Sequence, residues 1–115
     1  MLRMTKRLYN AGVPILAGTD ALAGIMLHRE LELEVAAGIP PAKALQIATC
    51  NAARLLKQDH ELRSIAPDKR ADPLLVDGNL LERISEIRRC RVVVKNGTFY
   101  DSAAVYGAVG IKPSE

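Results

Sequence analysis

The sequence predicts an α+β fold in one folding unit, helical in its first half and stranded in its second. Three observations carry this reading. Leu27, Leu31 and Val35 recur every fourth residue, the spacing of a single helix face. Val92-Val93-Val94 and Thr98-Phe99-Tyr100 flank Asn96-Gly97, the residue pair that favours a type I′ turn between antiparallel strands. Gly12-Val13-Pro14-Ile15-Leu16-Ala17 is an apolar run punctuated by Gly and Pro, and it leads through Gly18-Thr19 to a single carboxylate, Asp20.

In chain order, Met1, Met4, Leu8 and Ala11 share helical spacing, so Leu2 to Asn10 is expected as a helix closed by Ala11-Gly12. Pro14 to Ala17 then reads as a short buried strand and Gly18 to Ala23 as a loop. A second helix is expected from Gly24 to Ala37, ending at Gly38, where glycine suits the positive φ of a helix end. Its Glu30, Glu32 and Glu34 fall mostly off the apolar stripe and are expected on a solvated face. Pro41 suits the first turn of a third helix, because its missing N–H would have no helical partner there. That helix should run to about Ala48, with Asn51 capping a further turn or two through Leu56. Residues 57–70 are polar and irregular. Asp72 to Val76 and Cys90 to Lys95 read as strands, with a short helix from Asn79 to Ile87 between them and a loosely packed tail after Asp101.

Bulk properties exclude several classes. The 115 residues are 49% hydrophobic and 25% charged, the composition of a folded domain rather than a disordered tail. No stretch approaches the roughly 20 apolar residues of a membrane span, so no membrane partner is expected. The basic N-terminal residues lack a following apolar core of a signal peptide, which makes a cytoplasmic location the expectation. Net charge is +3, but the 16 basic and 13 acidic residues are interleaved and aromatics are only 3%, against the basic face with stacking rings that nucleic-acid binding wants. The cluster Arg88-Arg89-Cys90-Arg91 is expected as a solvated strand edge. Cys50 and Cys90 show no metal or redox spacing and read as free thiols.

The run Gly18-Thr19-Asp20, then His28-Arg29-Glu30-Leu31-Glu32-Leu33, Ala48-Thr49-Cys50-Asn51-Ala52-Ala53, Ala71-Asp72 and Val93-Val94-Lys95-Asn96-Gly97 resembles, in one register, the C-terminal portion of metal-dependent amidohydrolases. The resemblance is to their imidazolonepropionase-like and prolidase-like branch, and it covers about residues 1–100. It implies that the chain corresponds to the last strand and helices of a (β/α)8 barrel plus a C-terminal β-hairpin of a small β-domain. Residues 1–56 would be barrel-derived, 57–70 an irregular loop, 71–100 the β-domain part and 101–115 a tail. A whole barrel needs about 250 residues, so the chain corresponds to a piece. Four positions depart from the family pattern: Pro40 replaces a capping Thr or Ser, Leu56-Lys57 replaces Leu-Gly, Pro67-Asp68-Lys69 replaces Pro-Gly-Lys, and Pro73 enters the strand in place of Leu. Pro73 suits an edge strand better than a central one.

The resemblance implies that Asp20 ends the eighth barrel strand, completes a divalent-metal (zinc) site and takes the proton of the attacking water. It also implies a weaker, substrate-proximal place for His28 near the pocket mouth. A zinc centre takes three or four ligands, usually several imidazoles, and this sequence has two histidines, His28 and His60. The family's His-x-His pair, its strand-end Lys or Glu and two further histidines have no counterpart, so no cofactor is expected in the isolated chain. No Ser, Cys or Lys stands beside a base at a recognisable spacing, and no Gly-rich phosphate cradle occurs.

Two functions follow as expectations. In the first, the chain is the C-terminal fragment of an enzyme hydrolysing C–N bonds in amides, dipeptides or cyclic amides, inactive alone and completed by a complementary N-terminal chain. In the second, it is a stand-alone, non-catalytic binding or structural protein. Both favour a homo-oligomer, most simply a dimer, because unpaired edges and apolar faces would otherwise remain open.

Overall fold

In the computed structural model, which describes residues 1–20 and 26–112, the first helix, α1, spans Leu2–Asn10. It closes at Gly12, whose φ of +73° lets Gly12 N–H reach Tyr9 O at 3.0 Å and Val13 N–H reach Leu8 O at 3.1 Å. These paired bonds are a Schellman end. The second helix, α2, spans Met26–Ala36 and ends the same way at Gly38 (φ +95°), with Gly38 N–H on Val35 O at 2.9 Å and Ile39 N–H on Glu34 O at 3.1 Å. The expected helix start at Gly24 and the loop positions 21–23 lie outside the described residues.

Between α1 and α2 the expected strand Pro14 to Ala17 joins no sheet. Its burial nevertheless alternates, with Ile15 and Ala17 packed on the core while Pro14 and Leu16 face solvent. The side chains thus keep a strand's period of two, but a strand also needs a neighbour for its backbone groups. The described residues supply none.

Helix α3 (Pro41–Gln46), a π turn (Ile47–Asn51) and α4 (Ala52–Leu55) follow as one uninterrupted helical run. Asn51 therefore does not cap a new helix: it sits inside the run at φ −71°, ψ −39°, with no side-chain capping bond. Nor does Pro40 offer a capping acceptor at the start of α3. The run ends at Lys57, which takes φ +56° so that its N–H meets Arg54 O at 3.0 Å and Gln58 N–H meets Ala53 O at 2.9 Å. Lys57 adopts the backbone that Gly12 and Gly38 adopt, without their freedom.

The irregular segment after α4 is fastened from within. Lys69 Nζ donates to Asp59 O and Leu62 O at 2.6 and 3.3 Å, and Arg70 pairs with Glu61. Pro67-Asp68 forms a turn closed by Lys69 N–H on Ala66 O, with Asp68 at φ +64°.

Three short strands make one antiparallel sheet in the order β1 (Leu74–Val76), β2 (Cys90–Lys95), β3 (Thr98–Asp101). Strand β1 starts two residues later than expected and lies at an edge, as Pro73 favours. Ala71 and Asp72 grip the turn between β2 and β3. Gly97 N–H donates to Ala71 O at 3.0 Å, Asn96 N–H to Asp72 Oδ1 at 2.5 Å, and Lys95 Nζ to Asp72 Oδ2 at 3.2 Å. Asn96 and Gly97 take φ of +49° and +79°, which a type I′ turn requires.

Two expectations for the C-terminal half are corrected. The helix anticipated from Asn79 to Ile87 is a 3₁₀ helix at Ile84–Arg89, whose Ile84 and Ile87 are buried. The anticipated loose tail contains a helix, α5 (Ser102–Ala108), started by Asp101, whose carboxylate accepts from Ala104 N–H at 2.9 Å.

The core gathers Leu31 of α2, Ile39, Ala44 of α3, Ile47 of the π turn, and Ile84 and Ile87. The apolar stripe of α2 is only partly used: Leu31 is buried, Val35 half-buried and Leu27 exposed. The solvated face expected for its glutamates is also corrected. Glu34 is 3% exposed with both carboxylate oxygens lacking a hydrogen-bond partner, and Glu32 is bonded by Arg88 at 2.6 and 3.0 Å. The arginine cluster is likewise no bare solvated edge. Arg88, Arg89 and Arg91 pair with Glu32, Glu86 and Asp77, and the strand they lead into, β2, is the central one.

Candidate functional site

Asp20 is delivered by a segment whose position is set at two points. The Schellman end at Gly12 turns the chain out of α1, and Ile15 and Ala17 anchor it on the core. Gly18, Thr19 and Asp20 follow, all exposed. The result is a solvent-facing carboxylate at the end of a short anchored segment. Such a group accepts protons and binds cations, but one carboxylate does not make a metal centre. The described residues contain no group of three or more His, Cys, Asp and Glu that could hold a metal ion. They do not by themselves fit the zinc site that the resemblance implies.

His28 stands in the first turn of α2, half-buried, beside Arg88 and Glu32. Burial holds its imidazole below the usual pKa; the Arg88 guanidinium adds to this and Glu32 opposes it. A ring in that setting stays neutral near pH 7. Glu32 is held in the opposite sense to a buried acid, below the usual carboxylate range, chiefly by its hydrogen bonds from Arg88. This Glu32–Arg88 pair joins α2 to the 3₁₀ helix across 56 residues of sequence, a separation that no local pattern reveals.

Among the described residues, an open groove lies on each side of the helical run. The first, about 650 Å³, lies beside the segment that carries Asp20. Its floor is largely apolar, from Val13, Ile15, Leu16 and Leu55, and Tyr9, Asn51 and Arg54 supply polar groups. Asn51 reaches this groove through the π turn, and the Thr49 hydroxyl of that turn donates back to Leu45 O of α3 at 2.7 Å. Asp20 is not among the groove's lining residues. The second groove, about 580 Å³, lies between the helical run and the 57–73 segment. Its Lys69, Arg70 and Asp72 already serve the loop and the β2–β3 turn.

The carboxylate that sequence reasoning missed is Glu34. Burial, with a smaller contribution from Glu30, pushes its pKa up to about 7. Its signal in the sequence was weak: it follows Leu31 by three residues, a spacing that also fits the core face.

Comparison with known proteins places this geometry. Residues 2–99 match the model of the Amidohydrolase family. The chain is similar to adenine deaminase 4 of Rhizobium meliloti, 37% identical over 82 residues that make up 70% of this chain and 12% of that protein. It is also similar to an imidazolonepropionase of Geobacillus kaustophilus, 36% identical over 72 residues, 58% of this chain and 17% of that one. Among solved structures, a Xaa-Pro dipeptidase with bound methionine in its active site superposes with a TM-score of 0.82 at 36% identity, covering 88% of this chain and 25% of the other. A putative prolidase from Bifidobacterium longum superposes at 0.78 with 34% identity, over 84% and 25% of the two chains. The chain thus spans under a fifth of these curated relatives and a quarter of these solved ones.

Proposed function

The chain belongs to the amidohydrolase family, and from that premise we propose that it is the C-terminal quarter of an enzyme hydrolysing C–N bonds in a small amide, dipeptide or cyclic amide. The observation that carries this reading is the superposition on the Xaa-Pro dipeptidase, which extends over 88% of the chain. In this reading the residues correspond to the last barrel strand and helices followed by strands of the small β-domain. Asp20 is the catalytic carboxylate. At the end of an anchored segment it accepts a proton from an attacking water and returns it to the departing nitrogen. The remaining divalent-metal ligands come from outside this sequence, either on a preceding segment or on a complementary N-terminal chain. His28, kept neutral beside Arg88, stands at the rim.

A chimera tests this. Residues 1–99 replace the matching quarter of the Xaa-Pro dipeptidase, and metal content and dipeptide hydrolysis are measured. We expect a metal-loaded, active chimera and loss of activity in its Asp20→Asn form. A folded, metal-loaded chimera whose activity survives Asp20→Asn would remove Asp20 from the mechanism. A folded chimera that neither holds metal nor hydrolyses would refute the enzyme reading.

A second reading takes the open surface as one that further copies of the chain cover. The chain exposes 8285 Å², against about 6,200 Å² for a compact monomer of its 12.5 kDa mass. In this reading the chain stands alone as a non-catalytic protein that covers its apolar faces by self-association.

A further inference from the structure

Resting on the enzyme reading, we propose that Arg88 is a positioning residue of the candidate site: its guanidinium, closed on Glu32, holds the His28 imidazole in place at the rim to hydrogen-bond an uncharged amide of the substrate. Three placements support this. His28 and Glu32 stand four residues apart on α2 and so share one side of the helix. Arg88 reaches Glu32 from the 3₁₀ helix with two bonds, Nε on Oε1 at 2.6 Å and Nη2 on Oε2 at 3.0 Å. A fork of this kind fixes orientation as well as distance, which a single bond does not. Both ends of the pair are anchored, because Glu32 follows Leu31, Arg88 follows Ile87, and Leu31 and Ile87 belong to the same core.

The pair also sets the charge that the ring meets. Glu32 and Arg88 are the charged groups that act on His28. Around them, Arg29 shares the Glu32 carboxylate at 3.4 Å and the Tyr106 phenol of α5 stands near Arg88. Burial is the main reason that the ring resists protonation, and the Arg88 charge adds to it. Glu32, engaged by two arginines, exerts a correspondingly weaker opposing pull. A neutral imidazole offers one N–H donor and one acceptor nitrogen, the pattern that meets an uncharged amide, whereas an imidazolium offers donors alone and draws carboxylates.

Nuclear magnetic resonance titration of the two histidines on the full chain is the first arm of the test, with His60 as the internal reference. Arg88→Gln should raise the pKa of His28, because Glu32 is then left facing the ring alone. Glu32→Gln should lower it further, because Arg88 is then left unpaired beside it. Two variants that break one contact and move the ring in opposite directions are not the result of general loosening. Either variant decides the point if the other fails to fold: a shift of the wrong sign, or none, would overturn the proposal.

Kinetics of the dipeptidase chimera form the second arm. Arg88→Gln and His28→Gln should each raise KM about tenfold, the loss of one hydrogen bond, with little change in kcat. The double variant should raise KM no further, since both changes remove the same contact. Losses that add, or that fall on kcat alone, would overturn the proposal and leave Arg88 a purely structural residue. A chimera inactive with Arg88 in place would overturn the enzyme reading and the rim contact with it, while the titration on the full chain still decides whether Arg88 holds His28.

Discussion

Lys57 shows at the scale of one residue how a helix end closes without glycine. Among the described residues, four helix ends use the same pair of Schellman bonds, and three place glycine at the positive-φ position: Gly12, Gly38 and Gly110. The fourth places lysine there at φ +56°. A left-handed backbone costs a residue with a Cβ roughly 1–2 kcal/mol, a cost that Lys57 carries and the three glycines do not. Lys57→Gly should raise stability by about 1 kcal/mol, less the extra freedom that glycine gives the unfolded chain. Chemical denaturation checks it, and a lowered midpoint would show that the Lys57 side chain contributes more than its backbone costs. Glu34 is a second residue-scale case. Its carboxyl has a folded pKa of about 7 against an ordinary 4.5. The folded state thus holds the proton more tightly than the unfolded state, so stability is highest below pH 4.5 and is lost as pH rises toward 7. The loss is about 3 kcal/mol at 1.36 kcal/mol per pKa unit. Glu34→Gln should flatten this part of the pH profile, and Glu34→Leu should raise stability at pH 7. A profile unchanged by Glu34→Gln would mean the carboxyl reaches solvent.

Elements differ in how much of their structure is local. Helix α1 and the turn at Asn96-Gly97 are written in adjacent residues, and both formed where their patterns lie. Helix α5 was missed because its short Ala- and Gly-rich sequence has little apolar period, yet Asp101 was a readable start signal. Its carboxylate holds the Ala104 N–H, and removing such an acceptor typically costs about 1 kcal/mol. Asp101→Ala should therefore lower helical content and raise amide exchange across residues 102–108, while exchange at β2 stays slow. Equal loosening of β2 would show that α5 supports the sheet rather than resting on it. The π turn was not legible for another reason. Ala48-Thr49-Cys50-Asn51 has the residues of an ordinary helix boundary, and nothing local distinguishes a cap at Asn51 from a continuous run.

For the whole molecule, an exposed area of 8285 Å² and a radius of gyration of 14.8 Å describe an open structure; about 13 Å is expected for a compact domain of this length. The small core and the unpaired segment 14–17 agree with a chain that spans a quarter of its solved relatives. Among the described residues no helix is long and apolar enough to cross a membrane. The purified chain should bind no stoichiometric zinc, because Asp20 with at best His28 falls short of three or four ligands. Metal analysis after dialysis checks this, and one tightly held zinc per chain would show that ligands are shared between copies.

By itself the sequence determined the features that depend on neighbours along the chain. These are the periodic face of α2 around Leu31, the glycine-closed helix ends, the Asn96-Gly97 turn and the edge position that Pro73 implies. The register of motifs from Gly18-Thr19-Asp20 to Asn96-Gly97 also identified the family. Only the tertiary structure decided what depends on distant partners. It showed that Pro14 to Ala17 keeps a strand's alternation without a strand's hydrogen bonds, that Arg88 reaches Glu32, and that Glu34 is buried while Leu27 is not. Periodicity sets which side chains share a face, but whether that face meets protein or water depends on surfaces brought together from elsewhere in the chain.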